Sequence, residues 1–560
     1  MTIKKSIKTS NNKIITHPWI GSILSGVLIG LNAPGFGTHW IGLVSFLPLL
    51  FILEQLHKKI NISFRKRCLL LFSVCWITGA IASLIGGYWI TNSIHVFGHI
   101  PLIYSLLITA LGYGLEVGLQ LFVYFAIPLL CIRKLNNWDL GLRLSYVIAI
   151  DPWYPRLIHW NYGGLTFSQF PFIEQVADII GSSGLLLYSL GLQFLLIAWW
   201  RLKSSERNLH YNKVGYKYLK QALAAYSLFW ALSLSYGAWR INDISSNENL
   251  QKADSFLNVI TIQPNFSLQD LSSNAELAHS KRKGNLEILF KDSKKHLSKL
   301  SKQTEEPTLL VWPESVFPLP FFKVREAREK VLNFAEENNT SILFTTIDWE
   351  KKITETKFHG VSVLVGSNGK VIDRYNKIFL IPFGEMIPFS NIFPEIASWL
   401  RSNIANMSEF EPGQDYKVFN LSDKVRLSAP ICFDIFSQKV VRGMSLKGSN
   451  LVVNLSNLAW FGRTTASDNM VAVLRWRAIE NRVPVVFASN NGESIFIGAD
   501  GKNLSKQLGL FEEGGLITKL QLQSRFSFYQ IYEEWLRIGF FLIFLVLVLI
   551  AHIHARIFQK

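Results

Sequence analysis

A thiol, a carboxylate and an ammonium stand at three separated points of this chain, each beside an apolar run. Cys432 is the only cysteine between residues 241 and 534. It follows Val425-Arg426-Leu427-Ser428-Ala429-Pro430-Ile431, which reads as a buried strand delivering a thiol into a turn. With no second cysteine in that segment it cannot be an intrachain staple there. It is either a small buried hydrophobe or a nucleophile. Glu314 closes the strand-like run Leu309-Leu310-Val311-Trp312-Pro313. Lys377 opens the string Lys377-Ile378-Phe379-Leu380-Ile381-Pro382-Phe383-Gly384-Glu385. Thiol chemistry needs a base to take the proton, a cation for the developing oxyanion and a strained seat for the nucleophile. Glu314 suits the base, its pKa raised by burial. Lys377, helped by the backbone N–H of Phe433, suits the oxyanion. Singly, each has a plainer reading: Glu314 as a loop acid, Lys377 as a surface lysine, Glu385 as a loop charge.

The order Glu…Lys…Cys and the strings around it resemble the nitrilase superfamily. Within it, Trp312-Pro313-Glu314, the Tyr375–Glu385 string and Ile431-Cys432 are similar to those of the apolipoprotein N-acyltransferases. Asn457, Ala459-Trp460-Phe461-Gly462, Arg475–Glu480 and Ser489-Asn490-Asn491-Gly492 match as well, and the resemblance spans nearly the whole chain. It implies an α-β-β-α sandwich with Glu314, Lys377 and Cys432 as the catalytic set. It also implies Glu385 as the acid that orients Lys377, with Phe433, Asp434 and Trp460 supporting the substrate. The implied reaction moves an acyl chain from a membrane phospholipid, through a Cys432 thioester, to the diacylglyceryl-modified N-terminal cysteine of an apolipoprotein. No metal or organic cofactor is implied. The chain departs from the family pattern at Phe433 and Asp434, where Tyr-Glu is usual, at Leu458 after Asn457, and at Ser272 in place of a Trp. A membrane-tethered amidase, another acyltransferase of the superfamily and a transporter with a degenerate extracytoplasmic domain are the alternatives.

The elements that must carry these residues fall into two kinds. The chain has 560 residues, 49% of them hydrophobic, with 17 Trp and a mean hydropathy of +0.22. That composition points to an integral membrane protein with an attached polar domain. Apolar stretches near 18–34, 38–55, 68–90, 101–131, 142–158, 174–200, 219–239 and 535–555 read as spans. Asp151-Pro152 and Pro155 make the fifth the weakest. The first, preceded by Lys4, Lys5, Lys8 and Lys13, reads as an uncleaved helix. The organisation expected is a membrane domain at 1–240, a catalytic domain at 241–534, and a final helix with its tail at 535–560.

The net charge of +17 invites a nucleic-acid reading, but its placement argues against one. Residues 1–240 and 535–560 hold 23 Lys and Arg against 7 Asp and Glu, whereas 241–534 hold 34 against 33. The excess lies in the N-terminus and in loops 56–67, 132–143 and 201–220, while 91–100 and 159–173 have no Lys or Arg. This alternation places both termini in the cytoplasm and 241–534 on the far side of the membrane; with the resemblance, that implies the periplasmic side of a bacterial inner membrane. Glu116 and Asp178, within apolar stretches, are functional suspects or interior packing.

In the polar half, 258–263, 308–312, 341–347, 360–365, 451–454 and 485–488 read as strands, and 275–302, 323–338 and 465–482 as helices. Ser367-Asn368-Gly369-Lys370 and Ala499-Asp500-Gly501-Lys502 are hairpin turns. Arg475, Arg477 and Glu480 read as structural ion pairing, and Asn490-Asn491-Gly492 as a turn. The stretch after Glu385, from Met386 to Leu400, is rich in large apolar residues and broken by two prolines. It is either core or a lid that meets the bilayer through Phe389, Phe393 and Trp399.

Overall fold

The computed structural model describes residues 17–557 except 59–62, 133–136, 158–165, 205–208, 247–254, 268–274, 301–305, 318, 352–355 and 404–408. Lys4, Lys5, Lys8 and Lys13, Ser272 and parts of the three basic loops lie outside the described residues. The chain forms two units: Met1–Val96, Ile100–Ala238 and Tyr532–Lys560 in one, Phe97–His99 and Trp239–Ile531 in the other.

The first unit is helical. Among the described residues, His39–His57, Phe64–Gly86, Leu102–Cys131 and Phe528–Ile553 are long and apolar enough to cross a bilayer. Ala177–Gly184 and Leu186–Ser204, bent by 60°, make a fifth if counted as one span. The other three stretches read as spans form helices of a different kind. Pro18–Leu31 and Asn137–Ile150 have 14 residues each, about 21 Å of helix against a hydrocarbon layer of roughly 30 Å. The second of these stops where Asp151-Pro152 turns the chain into a 3-10 turn. Leu209–Ser245 runs for 37 residues, but Ser227, Ser233, Ser235, Tyr226 and Tyr236 dilute its apolar half.

Close packing in this unit depends on glycine. A Cβ on Gly79 would lie 2.5 Å from the Gly118 nitrogen, so the Phe64–Gly86 and Leu102–Cys131 helices touch backbone to backbone. Buried charges are paired. Glu54 accepts from Arg143 Nη1 at 2.9 Å and Arg201 Nη2 at 2.7 Å, and Asp139 accepts from Arg201 Nη1 at 2.7 Å. Asp151 accepts from the Tyr124 hydroxyl at 2.6 Å and from Arg156. The two suspect acids also have partners: Glu116 accepts from the Leu157 N–H at 2.7 Å, and Asp178 from the Tyr236 hydroxyl at 2.7 Å.

The second unit carries two sheets. The strands are β1 (Ser255–Gln263), β2 (Thr308–Val311), β3 (Ser341–Lys351), β4 (Thr356–Val365), β5 (Val371–Asn376), β6 (Phe419–Asn420), β7 (Arg426–Ser428), β8 (Leu451–Ser456), β9 (Val485–Ser489), β10 (Ile495–Ile497) and β11 (Gly514–Leu522). One sheet has the order β11-β1-β2-β3-β4-β5, the other β10-β9-β8-β7-β6. β1, β2 and β3 run parallel, as do β7, β8 and β9. Parallel strands are covered on both faces, which is why β1, β2, β8 and β9 are buried almost end to end and dominated by apolar residues. The Ala275–Leu297 and Arg325–Glu337 helices cover the larger sheet: Leu286, Leu289, Val331 and Phe334 pack on Ile260, Leu310 and Phe344. The Ala466–Asn481 helix, buried along almost its whole length, lies against the smaller one. The Ser362 hydroxyl of β4 donates to the Ala429 carbonyl at 3.0 Å, tying one sheet to the other. This is the expected nitrilase-like α-β-β-α sandwich.

Both hairpin turns form, closed by Gly366 N to Lys370 O at 2.8 Å and Gly498 N to Lys502 O at 2.7 Å. Gly369 at φ +66° and Gly501 at φ +82° take the left-handed seats that the turns need.

Candidate active site

Three strand ends deliver the chemistry. Glu314 lies three residues beyond β2, Lys377 directly follows β5, and Cys432 begins a 3-10 turn, Cys432–Phe436, after β7. The run expected as one strand up to Cys432 is a strand only at Arg426–Ser428. Pro430 has no N–H to give a ladder. Ile431 makes a single bridge to Leu455, and the chain then turns.

The turn puts Cys432 at φ +46°, a left-handed seat for a side-chain-bearing residue. Such a conformation persists only where its surroundings over-determine it. Here Asn454 Nδ2 donates to the Pro430 and Cys432 carbonyls, both at 3.1 Å, and the Asp434 N–H donates to the Ile431 carbonyl at 3.0 Å.

Glu314, Lys377, Glu385 and Cys432 come together. Lys377 Nζ donates to Glu385 Oε1 at 2.7 Å and lies 3.6 Å from Glu314 Oε1. The Cys432 thiol lies in the same cluster as the Glu314 carboxylate, and each shifts the other's proton affinity. The other Glu314 oxygen accepts from the Asn457 N–H at 2.9 Å, and the other Glu385 oxygen from the Ile381 N–H at 2.9 Å. Lys377 and Cys432 are buried, while the Glu314 and Glu385 side chains are 15% and 16% exposed.

The electrostatics set the resting state. Burial raises the Glu314 pKa, Lys377 opposes the rise and the Glu385 charge adds to it. Burial works to lower the Lys377 pKa, but Glu385 and Glu314 outweigh it and the ammonium is held protonated. Burial and the Glu314 charge push the Cys432 thiol well up. At rest the sulfur therefore keeps its proton. Such an arrangement suits general-base catalysis, in which a thiol passes its proton to a neighbouring carboxylate as it attacks.

Asp434, expected beside the substrate, is fully buried and serves another purpose. Its carboxylate accepts from the Tyr375 hydroxyl at 2.8 Å and from the N–H groups of Phe379, Ile431 and Ile378 at 2.6, 2.9 and 3.2 Å. It clamps the Lys377 loop onto the Cys432 turn. Burial is the main cause of the rise in its pKa to about 6, with Lys377 and these hydrogen bonds opposing it. Phe433 is buried too, its ring 4.9 Å from Phe436 and 6.0 Å from Phe461. A tyrosine hydroxyl in that apolar setting would need a partner. Trp460 is partly exposed, on the 3-10 turn Ala459–Phe461.

Sequence reading missed the support around Glu314. Asn457 Oδ1 accepts from Asn490 Nδ2 at 3.2 Å, and Asn490 exchanges hydrogen bonds of 2.9 Å with both backbone groups of Phe266. The turn at Asn490 thus holds the backbone that holds Glu314. Asn457 and Asn490 both stood in matched strings, which was the only signal. Arg477 pairs with Glu480 and donates to the Ile435 carbonyl at 3.0 Å, bracing the Cys432 turn from behind.

Phe389, Phe393 and Trp399 lie apart from this buried group. They are 59%, 53% and 62% exposed, on the loop and Pro394–Asn403 helix that follow Glu385. That excludes the core reading for these three side chains.

Residues 277–528, which contain the whole cluster, match the carbon-nitrogen hydrolase family. This fixes the class of protein. Residues 25–195 match the apolipoprotein N-acyltransferase N-terminal domain. With both domains in this order, the chain belongs to the apolipoprotein N-acyltransferase family. It is 26% identical to an apolipoprotein N-acyltransferase of Geobacter metallireducens over 92% of each chain. It is 24% identical to one of Borreliella burgdorferi over 91% of this chain and 90% of that one. Among solved structures, an amidase from Nesterenkonia sp. aligns at 18% identity over 50% of this chain and 97% of that one, with a TM-score of 0.35.

Proposed function

We propose that Cys432 carries an acyl chain from a membrane phospholipid to the α-amino group of a diacylglyceryl-modified cysteine on an apolipoprotein. Cys432 sulfur attacks the ester carbonyl as Glu314 takes its proton. The C–S bond forms, the ester C–O bond breaks, and the lysophospholipid leaves as an alcohol with that proton. The acceptor amine then attacks the thioester, the amide C–N bond forms, and the thiolate leaves with a proton returned through Glu314. Lys377 holds the oxyanion of both tetrahedral intermediates, and Glu385 positions Lys377. No step calls for a metal or an organic cofactor.

The observation that carries this reading is an ammonium buried between two acids, 3.6 Å from Glu314 and 2.7 Å from Glu385, with the Cys432 thiol on a left-handed turn in the same cluster. Intact mass measurement tests it. Enzyme incubated with phospholipid should gain one acyl group, lost on hydroxylamine treatment and absent from Cys432→Ser. An adduct that persists in Cys432→Ser removes the sulfur from the mechanism.

The catalytic unit lies on the periplasmic side of the inner membrane in this reading, supported by the alternation of basic and uncharged loops. In a cysteine-free variant, a cysteine at Ser505 should react with an impermeant maleimide in intact cells and one at Ser204 should not. The reverse pattern would invert the orientation. The exposed Phe389, Phe393 and Trp399 form the lid through which acyl chains pass from bilayer to sulfur.

A further inference from the structure

The face of the larger sheet that meets the smaller one carries a row of hydroxyls. Thr345 of β3 stands opposite Ser362 of β4, and Ser362 stands opposite Tyr375 of β5. Directly opposed residues point to the same face, so the three side chains line up across three strands. The other face is accounted for separately: Ile342, Phe344, Val361 and Val363 belong to the core under the covering helices. On β3 and β4 the neighbouring rows are Leu343 facing Leu364 and Ile347 facing Gly360. Thr345, Ser362 and Tyr375 are all buried.

A buried hydroxyl needs a partner, and each of these finds one on a different segment of the cluster. Thr345 Oγ1 accepts from the Ser315 N–H at 3.1 Å, directly after Glu314. The Ser362 hydroxyl donates to the Ala429 carbonyl at 3.0 Å, shortly before Cys432. The Tyr375 hydroxyl donates to Asp434 at 2.8 Å, shortly after Cys432, and accepts from the Ile378 N–H at 3.2 Å, directly after Lys377. The bond at Thr345 also meets strain. Ser315 has φ +62°, a left-handed seat that persists only where its surroundings over-determine it. The Asn457 N–H fixes the Glu314 carboxylate, and Thr345 holds the backbone from which that carboxylate projects.

We propose that Thr345, Ser362 and Tyr375 are positioning residues that set the spacing of Glu314, Lys377 and Cys432 from a single row of the sheet. This rests on the roles proposed above for those three. The cluster itself stands on turns and loops beyond the strand ends. Groups supported from strands are held more precisely than groups on loops alone, and a misplacement of about 1 Å can cost about 10²-fold in rate. The row ties each of the three turns back to neighbouring strands in one register.

The test uses the full chain in detergent and two reactions of Cys432, acyl-adduct formation from phospholipid and alkylation by iodoacetamide, each measured per folded molecule. Thr345→Val removes the hydroxyl at nearly constant volume and should slow both by about tenfold or more. It should also move the acid limb of both pH–rate profiles upward, because Lys377 and the Asn457 N–H, which hold the Glu314 pKa down, are then out of place. Thr345→Ser keeps the hydroxyl and should restore the rates and the limb. Ser362→Ala and Tyr375→Phe should each slow both reactions as well. A normal rate in any of the three deletions overturns the proposal. So does an equal loss in Thr345→Ser, or an acid limb that stays put in Thr345→Val. Should one deletion fail to fold, the other two decide by the same rates. An unsubstituted chain that is alkylated at Cys432 but never acylated refutes the transfer reaction instead, and alkylation alone then judges the row.

Discussion

Each unit of this chain buries a cluster of charges, and the two clusters are composed differently. In the membrane unit Glu54 and Asp139 face Arg143 and Arg201, two carboxylates against two guanidinium forks. In the catalytic unit Glu314 and Glu385 share a single ammonium, Lys377. The first cluster is balanced and sealed, with Glu54 at 0% and Arg143 at 1% side-chain exposure. The second is one positive charge short, and both of its acids can be reached from outside. Arginine forks hold carboxylates in fixed geometry and stay charged, so a balanced set of them is scaffolding. A cluster with a spare carboxylate holds a group that takes up a proton readily, and in the proposed reaction that proton comes from the Cys432 thiol.

The sharpest way to break this contrast is to remove members of each cluster and read rate and stability separately. Cys432→Ala should abolish acyl transfer. Glu314→Gln should lower it by about 10²–10⁴ and Lys377→Ala by about 10²–10³, measured as the rate of acyl-adduct formation. Both variants should still unfold cooperatively on heating. In the other cluster, Arg201→Met leaves a buried carboxylate short of a partner. It should destabilise by about 3–5 kcal/mol, while the rate per folded molecule stays unchanged. If Arg201→Met slowed the chemistry without lowering stability, the division into scaffold and reactive cluster would be wrong.

A smaller effect lies in the pH profile. In the proposed reaction Glu314 must be ionised to accept the proton, and its pKa is raised in the folded protein, chiefly by burial. Activity should therefore fall as pH drops through that raised value, which places the acid limb above the ordinary range for glutamate. Lys377 is the group that holds the Glu314 pKa down. Residual activity in Lys377→Ala should thus show the acid limb moved to still higher pH. A limb that stays put would mean that another group titrates.

How much of this could be read from sequence differs between the same two regions. In the catalytic unit, β1, β2, β8 and β9 were legible because parallel strands buried on both faces are dominated by Val, Ile, Leu and Phe. β6, β7 and β10 have two or three residues each, too few to show any period. β11 opens on two glycines and mixes Thr, Lys and Gln into its run. The proposed catalytic residues were legible because their types are scarce in that setting. Asp434 was picked out, but not its clamping role, because its partners are a tyrosine and three backbone N–H groups, which leave no sequence trace. In the membrane unit, apolar runs located the helices but not their lengths. Asp151-Pro152 shortened one, and hydroxyl-bearing residues diluted another.

Access is the remaining difference between the clusters, and it gives the smallest expected effect. The Glu54 cluster is closed, whereas a lipid ester must reach Cys432, which is buried. The loop after Glu385 leaves Phe389, Ile392, Phe393, Ile396 and Trp399 each more than half exposed. A soluble domain rarely shows water so contiguous an apolar stretch without a surface for it to meet, and aromatic side chains suit the bilayer interface. Replacing Phe389, Phe393 and Trp399 together with Ser should slow acylation by phospholipid by about tenfold or less, a loss of roughly 1.4 kcal/mol at most. Alkylation of Cys432 by a small water-soluble reagent should proceed as before, because that reagent needs no path through lipid. Thermal stability should hold as well, since these side chains are exposed in the fold. Were alkylation, acylation and stability to fall together, the three residues would be holding the catalytic unit together, and entry of the acyl chain would need another route.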